Sequence, residues 1–186
     1  AIAECFLRSG QMSLARAAFQ EVLAEHPESG HALAARFKLA TLLFREQDHD
    51  RALDSLAELL TDIPAEDPLR EKILMLQGLS FFELGRESEA DHAFSAILQT
   101  FPDGHSSSSA LFKMIHHYAR NENWNQSIGL AHMFLDRYEG DPLAGRVQLL
   151  QSLDHLELGE AGRARKTLGK LLDKYAGQDL GEKALF

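Results

Sequence analysis

Cysteine occurs once in the 186 residues, as Cys5, so the chain can form no internal disulfide and its redox compartment is left open. Tryptophan also occurs once and proline only five times, which removes the dense punctuation of a small disulfide-held or all-β domain. No apolar run approaches the ~18 residues that a membrane-spanning helix needs, so direct membrane insertion is not expected. The first residues lack a basic segment followed by an apolar stretch and a small-residue cleavage site, so no secretion leader is visible. Basic charge is scarce as well. With 19 Lys and Arg against 28 Asp and Glu the formal net charge is −9, and the clustered cations that release counterions from a phosphate backbone are missing. Nucleic acid is thereby excluded as a partner, and a basic or apolar one fits better. The motifs of common catalytic sites are absent too: no G-x-S-x-G elbow, no glycine-rich phosphate loop and no cysteine with an evident activating base.

What the chain has instead is a period. Alanine stands at Ala15, Ala52, Ala90 and Ala164 with Ser127 in the fourth slot, always 37 or 38 residues apart. Four residues on come Phe19, Leu56, Phe94, Ala131 and Leu168, and three further Val22, Leu59, Ile97, Phe134 and Leu171. Pro27, Pro64 and Pro102 close the first three units. A fixed period of this size marks a stack of copies of one small unit, each burying its apolar face on the next.

Within each unit the apolar spacing is three and four, which is helix period, and no six-residue stretch alternates as a strand would. Breakers at Gly10, Gln47 with Asp48, Gly85, Asn121 to Asn123 and Gly159 divide each unit into two helices. Others separate the units, at Pro27 to Gly30, Pro64 to Pro68, Pro102 to Gly104, Gly140 to Pro142 and Gly177 to Asp179. Pro68 and Pro142 suit a first helical turn, and Asp67, Asp141 and Asp179 suit N-caps. The expected organisation is one array over 1–186, with units 1–29, 30–66, 67–104, 105–141 and 142–178 and the start of a sixth helix pair at 179–186. Because it opens with half a unit and neither end carries a polar cap, the chain reads as a section of a longer array.

These positions resemble the tetratricopeptide repeat, and the resemblance covers nearly the whole chain. In the third unit it runs through Leu74, Gly78, Phe81, Ala90, Phe94, Ile97 and Pro102. The first gives Ala3, Phe6, Ala15, Phe19, Val22 and Pro27, the second Leu39, Ala40, Leu43, Ala52, Leu56, Leu59 and Pro64. The fifth gives Ser152, His155, Ala164, Leu168 and Leu171. The fourth diverges most, with Ile115 at the usual small crossing position, followed by Tyr118, Ser127, Ala131 and Phe134; Ile115 should splay its helix pair. The resemblance implies an all-α fold, a right-handed superhelical solenoid of antiparallel helix pairs. These units are three or four residues longer than the family's usual 34, an excess that should extend each first helix by about one turn. Longer units of this kind are similar to those of bacterial outer-membrane assembly lipoproteins and of Tol-Pal-associated periplasmic proteins, which favours a periplasmic or cell-envelope setting. No lipidation cysteine motif accompanies them.

In such arrays the first helices line a concave face. The positions predicted to point into it are Leu7 and Arg8; Phe37, Thr41, Phe44 and Arg45; Met75, Leu79 and Phe82; Phe112, His116 and Arg120; and Leu149, Leu153 and Leu156. Most are apolar, and an exposed stripe of that extent marks a partner site. Tighter winding of the longer helices would instead bury part of it as core. As a groove it suits an amphipathic helix or an extended apolar peptide. Arg8, Arg45 and Arg120 fall on one edge, where they can pair with a carboxylate. The full Lys, Asn and Arg set with which some family members clamp a peptide C-terminus is missing, as Glu83 and Glu157 occupy the equivalents of Arg45 and Arg120.

Nine histidines invite a metal reading, with His116 and His117 adjacent and His105 and His132 nearby. Helix neighbours point about 100° apart and cannot share an ion, and HExxH is absent. His155 stands where an aromatic packs in other units, so it reads as a buried ring. Glu87, Glu89 and Asp91 fall on outer faces as solvated charges. No metal, cofactor or catalytic residue is therefore predicted. The leading expectation is a non-enzymatic scaffold that binds a protein or peptide partner in the concave groove. A structural or self-associating segment, as a homo-oligomer or packed on further repeats, is the alternative, and an apolar-ligand carrier follows behind.

Overall fold

The computed structural model describes residues 2–27, 29–102 and 106–175. The proposed sixth helix pair at 179–186, its cap Asp179, and His105 lie outside these residues. Ten helices and no strand are present among the described residues. The chain divides into two compact units, residues 1–102 and 103–186, a division that the period by itself does not announce.

The first unit holds α1 (Ile2–Arg8), α2 (Met12–Glu25), α3 (Gly30–Arg45), α4 (His49–Asp62), α5 (Pro68–Glu83) and α6 (Glu87–Thr100). Each helix packs on the next in sequence, and α3 also touches α5, so successive first helices are neighbours. The second unit holds α7 (Ser107–Arg120), α8 (Trp124–Arg137), α9 (Ala144–Glu157) and α10 (Ala161–Tyr175). Here too sequential helices pack, and α7 touches α9.

The recurring small slot is the innermost point of every pair: Ala15, Ala52, Ala90 and Ser127 are 0% exposed and Ala164 1%. A larger side chain there would hold the helix axes apart, which explains why the slot takes only alanine or serine. Ser127 keeps its hydroxyl satisfied by donating to the Ile115 carbonyl at 3.2 Å. The expected splay at Ile115 is offset by size. In the α5–α6 pair Gly78 faces the large Phe94, whereas the equivalent positions one period on hold Ile115 and the small Ala131, both fully buried.

Every pair turns through the same bend. Residues 10, 47, 85, 122 and 159 all have positive φ, between 63° and 75°. The amide of the following residue donates to the carbonyl five residues back, as in Gln11 to Phe6 at 2.9 Å, Asp48 to Leu43 at 3.0 Å, Arg86 to Phe81 at 2.9 Å, Asn123 to Tyr118 at 2.9 Å and Glu160 to His155 at 2.8 Å. This is the Schellman closure of a helix C-terminus. Glycine serves it at three of the five sites; Gln47 and Glu122 adopt the left-handed conformation without glycine's freedom.

Asp67 caps α5, its carboxylate accepting from the Leu69 amide at 2.7 Å, and Pro68 occupies the first turn. Asp141 accepts from Leu143 at 2.8 Å in the same way, but Pro142 lies in the turn ahead of α9. The extra residues of the unit lengthen only α3 and α5, each 16 residues, while α7 and α9 have 14.

Candidate functional site

In the first unit the predicted groove residues are mostly shared with the core. Leu7 packs against the cluster of Ala3, Ala15, Phe19, Ala35 and Leu42. Phe37 and Phe44 pack half-buried on Ala40, Leu56, Leu59 and Ile73, and Phe44 meets His49 edge-on at 5.0 Å. Thr41 donates to the Phe37 carbonyl at 2.9 Å within its own helix. Met75, Leu79 and Phe82 are half-buried, and the Phe82 ring lies 5.2 Å from that of Phe94. Arg8 and Arg45 end α1 and α3 and are exposed. The stripe in this unit is therefore the upper layer of the core, with only part of each side chain open.

The second unit differs. Phe112 is not a groove wall: it is 8% exposed, covered by the Arg146 guanidinium 5.1 Å from its ring centre. What remains open is a run of hydrocarbon on α9, with Leu153 and Leu156 each 48% exposed and Leu149 half-buried beside them. Beside it lies a basic cluster. His116 and Arg120 are exposed on α7, and burial together with Lys113, Arg120, Arg146 and His117 lowers the His116 pKa below its ordinary value. An imidazole in this setting favours its neutral form.

Lys113 and Arg146 belong to this basic cluster, and the groove positions alone do not single them out. Arg146 precedes Leu149 by three and Leu153 by seven, so helical spacing places it on the same face. The remaining histidines do not converge. His117 Nε2 lies 2.9 Å from the Asn121 side-chain nitrogen, and His155 is 5% exposed with Nδ1 2.8 Å from Glu160. Among the described residues no group of three His, Cys, Asp or Glu side chains is placed to hold a metal, and no helix is long and apolar enough to cross a membrane.

A tetratricopeptide repeat family model matches residues 1–68 and again 37–105, together more than half of the chain. The chain belongs to the tetratricopeptide repeat family. Solved structures share the fold of this tetratricopeptide repeat protein over nearly its whole length. The MamA protein is 17% identical with a TM-score of 0.72, covering 100% of this chain and 94% of its own. BtubC from P. vanneervenii is 17% identical with a TM-score of 0.73, covering 94% of this chain and 77% of its own. A putative kinesin light chain from Podosopora anserina with nearly identical TPR-like repeats is 16% identical with a TM-score of 0.73, covering 96% and 94%. At these identities the likeness speaks for the fold alone. No curated protein sequence matches the chain.

Proposed function

We propose that this tetratricopeptide repeat protein is a non-enzymatic scaffold that takes a peptide or amphipathic helix from a protein partner on the face formed by its first helices. Scaffolding of protein–protein interactions is typical of the family. The observation that carries the reading is the pair Leu153 and Leu156, 48% exposed on a first helix beside the cations Lys113, Arg120 and Arg146. Hydrocarbon flanked by positive charge suits an apolar segment that carries a carboxylate. In the first unit Leu7, Phe37, Phe44, Met75, Leu79 and Phe82 would offer their open edges as a surface of that unit's own.

The test is a Leu153→Asp, Leu156→Asp double variant. Both side chains are substantially exposed, so helicity and Tm should hold while affinity for a partner peptide, once captured and mapped, falls about 10- to 100-fold. Unfolding of that variant, or unchanged affinity, overturns the assignment. The long repeat unit also favours, as part of this proposal, a bacterial periplasmic or envelope setting, and recovery of the parent protein only from cytoplasm would exclude it.

A further inference from the structure

The side of α9 carrying Gln148, Gln151 and His155 is separate from the leucine face, and it floors a cleft of about 930 Å³ between α8 and α10. That volume lies within the ~300–1,000 Å³ of ordinary ligand sites. Its walls have opposite charge. Asp136 on α8 and Glu139 in the connection that follows it line one side, and Arg163, Lys166 and Lys170 line the other from α10. Arg163 is held by Glu160, which also binds the buried His155, so this chain of contacts fixes the start of α10 against α9. Lys166 and Lys170 have no acidic partner among the described residues and are exposed.

The floor bears unused hydrogen-bonding groups. Gln151 is 3% exposed, and its Nε2 has no partner among the described residues. Three residues earlier on the same face, the Oε1 of Gln148 is buried and also lacks one. A buried carboxamide left unpaired opposes folding, and a hydrocarbon side chain would fill the position without that penalty. The two atoms are enclosed beneath the surface of the cleft, one a donor and one an acceptor, and match the C=O and N–H of a peptide backbone once the amides turn outward. The terminal torsion of glutamine is soft, so each amide can turn toward a bound chain.

We propose that this cleft binds an extended peptide segment whose side chains alternate in charge, basic toward α8 and acidic toward α10, with its backbone held by Gln148 and Gln151. In an extended chain successive side chains point to opposite sides, which is the only regular arrangement that sorts an alternating sequence onto two opposed walls. A helix would turn its own backbone groups inward and leave both glutamines unpaired. From Ile128 to Asp136 the lining of α8 is ~12 Å long and an extended chain advances ~3.3 Å per residue, so about four residues lie along the wall and a hexapeptide spans it. This site is independent of the leucine face.

The experiment uses the full chain and three probes. They are an acetylated and amidated hexapeptide of strictly alternating aspartate and lysine, a block hexapeptide of the same composition with its aspartates first and its lysines last, and free glutamate. Calorimetry at low salt should show the alternating hexapeptide binding tightest, and NMR should show the Gln148 and Gln151 side-chain amide signals shifting as it binds. Gln151→Leu, which keeps the volume and adds no unpaired group, should hold Tm and weaken binding roughly 3- to 10-fold. Lys166→Glu with Lys170→Glu, both exposed, should abolish the preference for the alternating peptide. Failure of the alternating peptide to bind, equal binding of the block peptide, equal binding of free glutamate, or an unchanged affinity in Gln151→Leu overturns the proposal.

Discussion

A β-carbon placed on Gly78 would lie 2.6 Å from the ring of Phe94, so α5 and α6 cross through a contact that only glycine permits. Phe94 is fully buried, so its ring could give way only by displacing its neighbours. Gly78→Ala should therefore destabilise the chain by about 1–3 kcal/mol through overpacking, although alanine is the better helix former by ~1 kcal/mol. Adding Phe94→Leu should restore part of the loss, and a urea melt of the single and double variants reads the coupling. A Gly78→Ala protein as stable as the parent would show that the ring moves freely.

The left-handed bends at Gln47 and Glu122, both with φ of 63°, place side chains where glycine serves elsewhere. Left-handed backbone costs an L-residue about 1–2 kcal/mol, part of which glycine returns as unfolded-state entropy. Gln47→Gly and Glu122→Gly should each raise stability by ~0.5–1 kcal/mol. Gly85→Ala should lower it by a similar amount. Thermal melts measure all three, and a destabilised Gln47→Gly protein would contradict the account.

Asp154 is 2% exposed, and burial raises its pKa above the ordinary carboxylate value despite the neighbouring Ser127 hydroxyl and His155. Its Oδ2 has no partner among the described residues. The folded state thus holds this proton more tightly than the unfolded chain, so Asp154 opposes folding at neutral pH. That opposition fades as pH falls through the raised pKa toward 3.8. Asp154→Asn should raise Tm at pH 7, with the gain shrinking toward about pH 4. A gain independent of pH would refute the electrostatic cause.

For His116 the sign is reversed in its consequence. Its pKa is lowered, first by burial and then by Lys113, Arg120, Arg146 and His117, so in a proton NMR titration its midpoint should fall below 6.5. Because the unfolded chain takes up this proton first, His116 withdraws stability as pH drops below 6.5. Arg146→Ala should move the midpoint upward, and so should a bound peptide carboxylate. A peptide that binds the leucine face without shifting the midpoint would show that the basic cluster plays no part in recognition.

The helix pairs were legible in the sequence because the buried slot at Ala15, Ala52, Ala90, Ser127 and Ala164 recurs strictly, and a crossing point has no tolerance for size. The bends were legible for the same reason, even where Gln47 and Glu122 replace glycine. Helix period identifies a face but not its depth, and so Phe112, in register with the groove, is buried under Arg146. The cleft beneath α8 and α10 was not legible at all. Gln151 sits among polar residues that read as ordinary surface, and only packing shows that its amide is enclosed. Similarly, nothing in the spacing distinguishes Asp154 from the solvated carboxylates of other helices.

The five identical bends also govern how this chain can change length. Joining Gly10 directly to Asp48 would pass α1 into α4 through the same closure, with the Asp48 amide meeting the Phe6 carbonyl and Ala3 coming opposite Leu56 in place of Ala40. Insertions or losses of one whole period keep every bend and every crossing in phase, whereas a single added residue inside a helix rotates all later side chains by about 100°. The array is thus free to grow or shorten by entire units, and length drift of any other size should be confined to the connections between them.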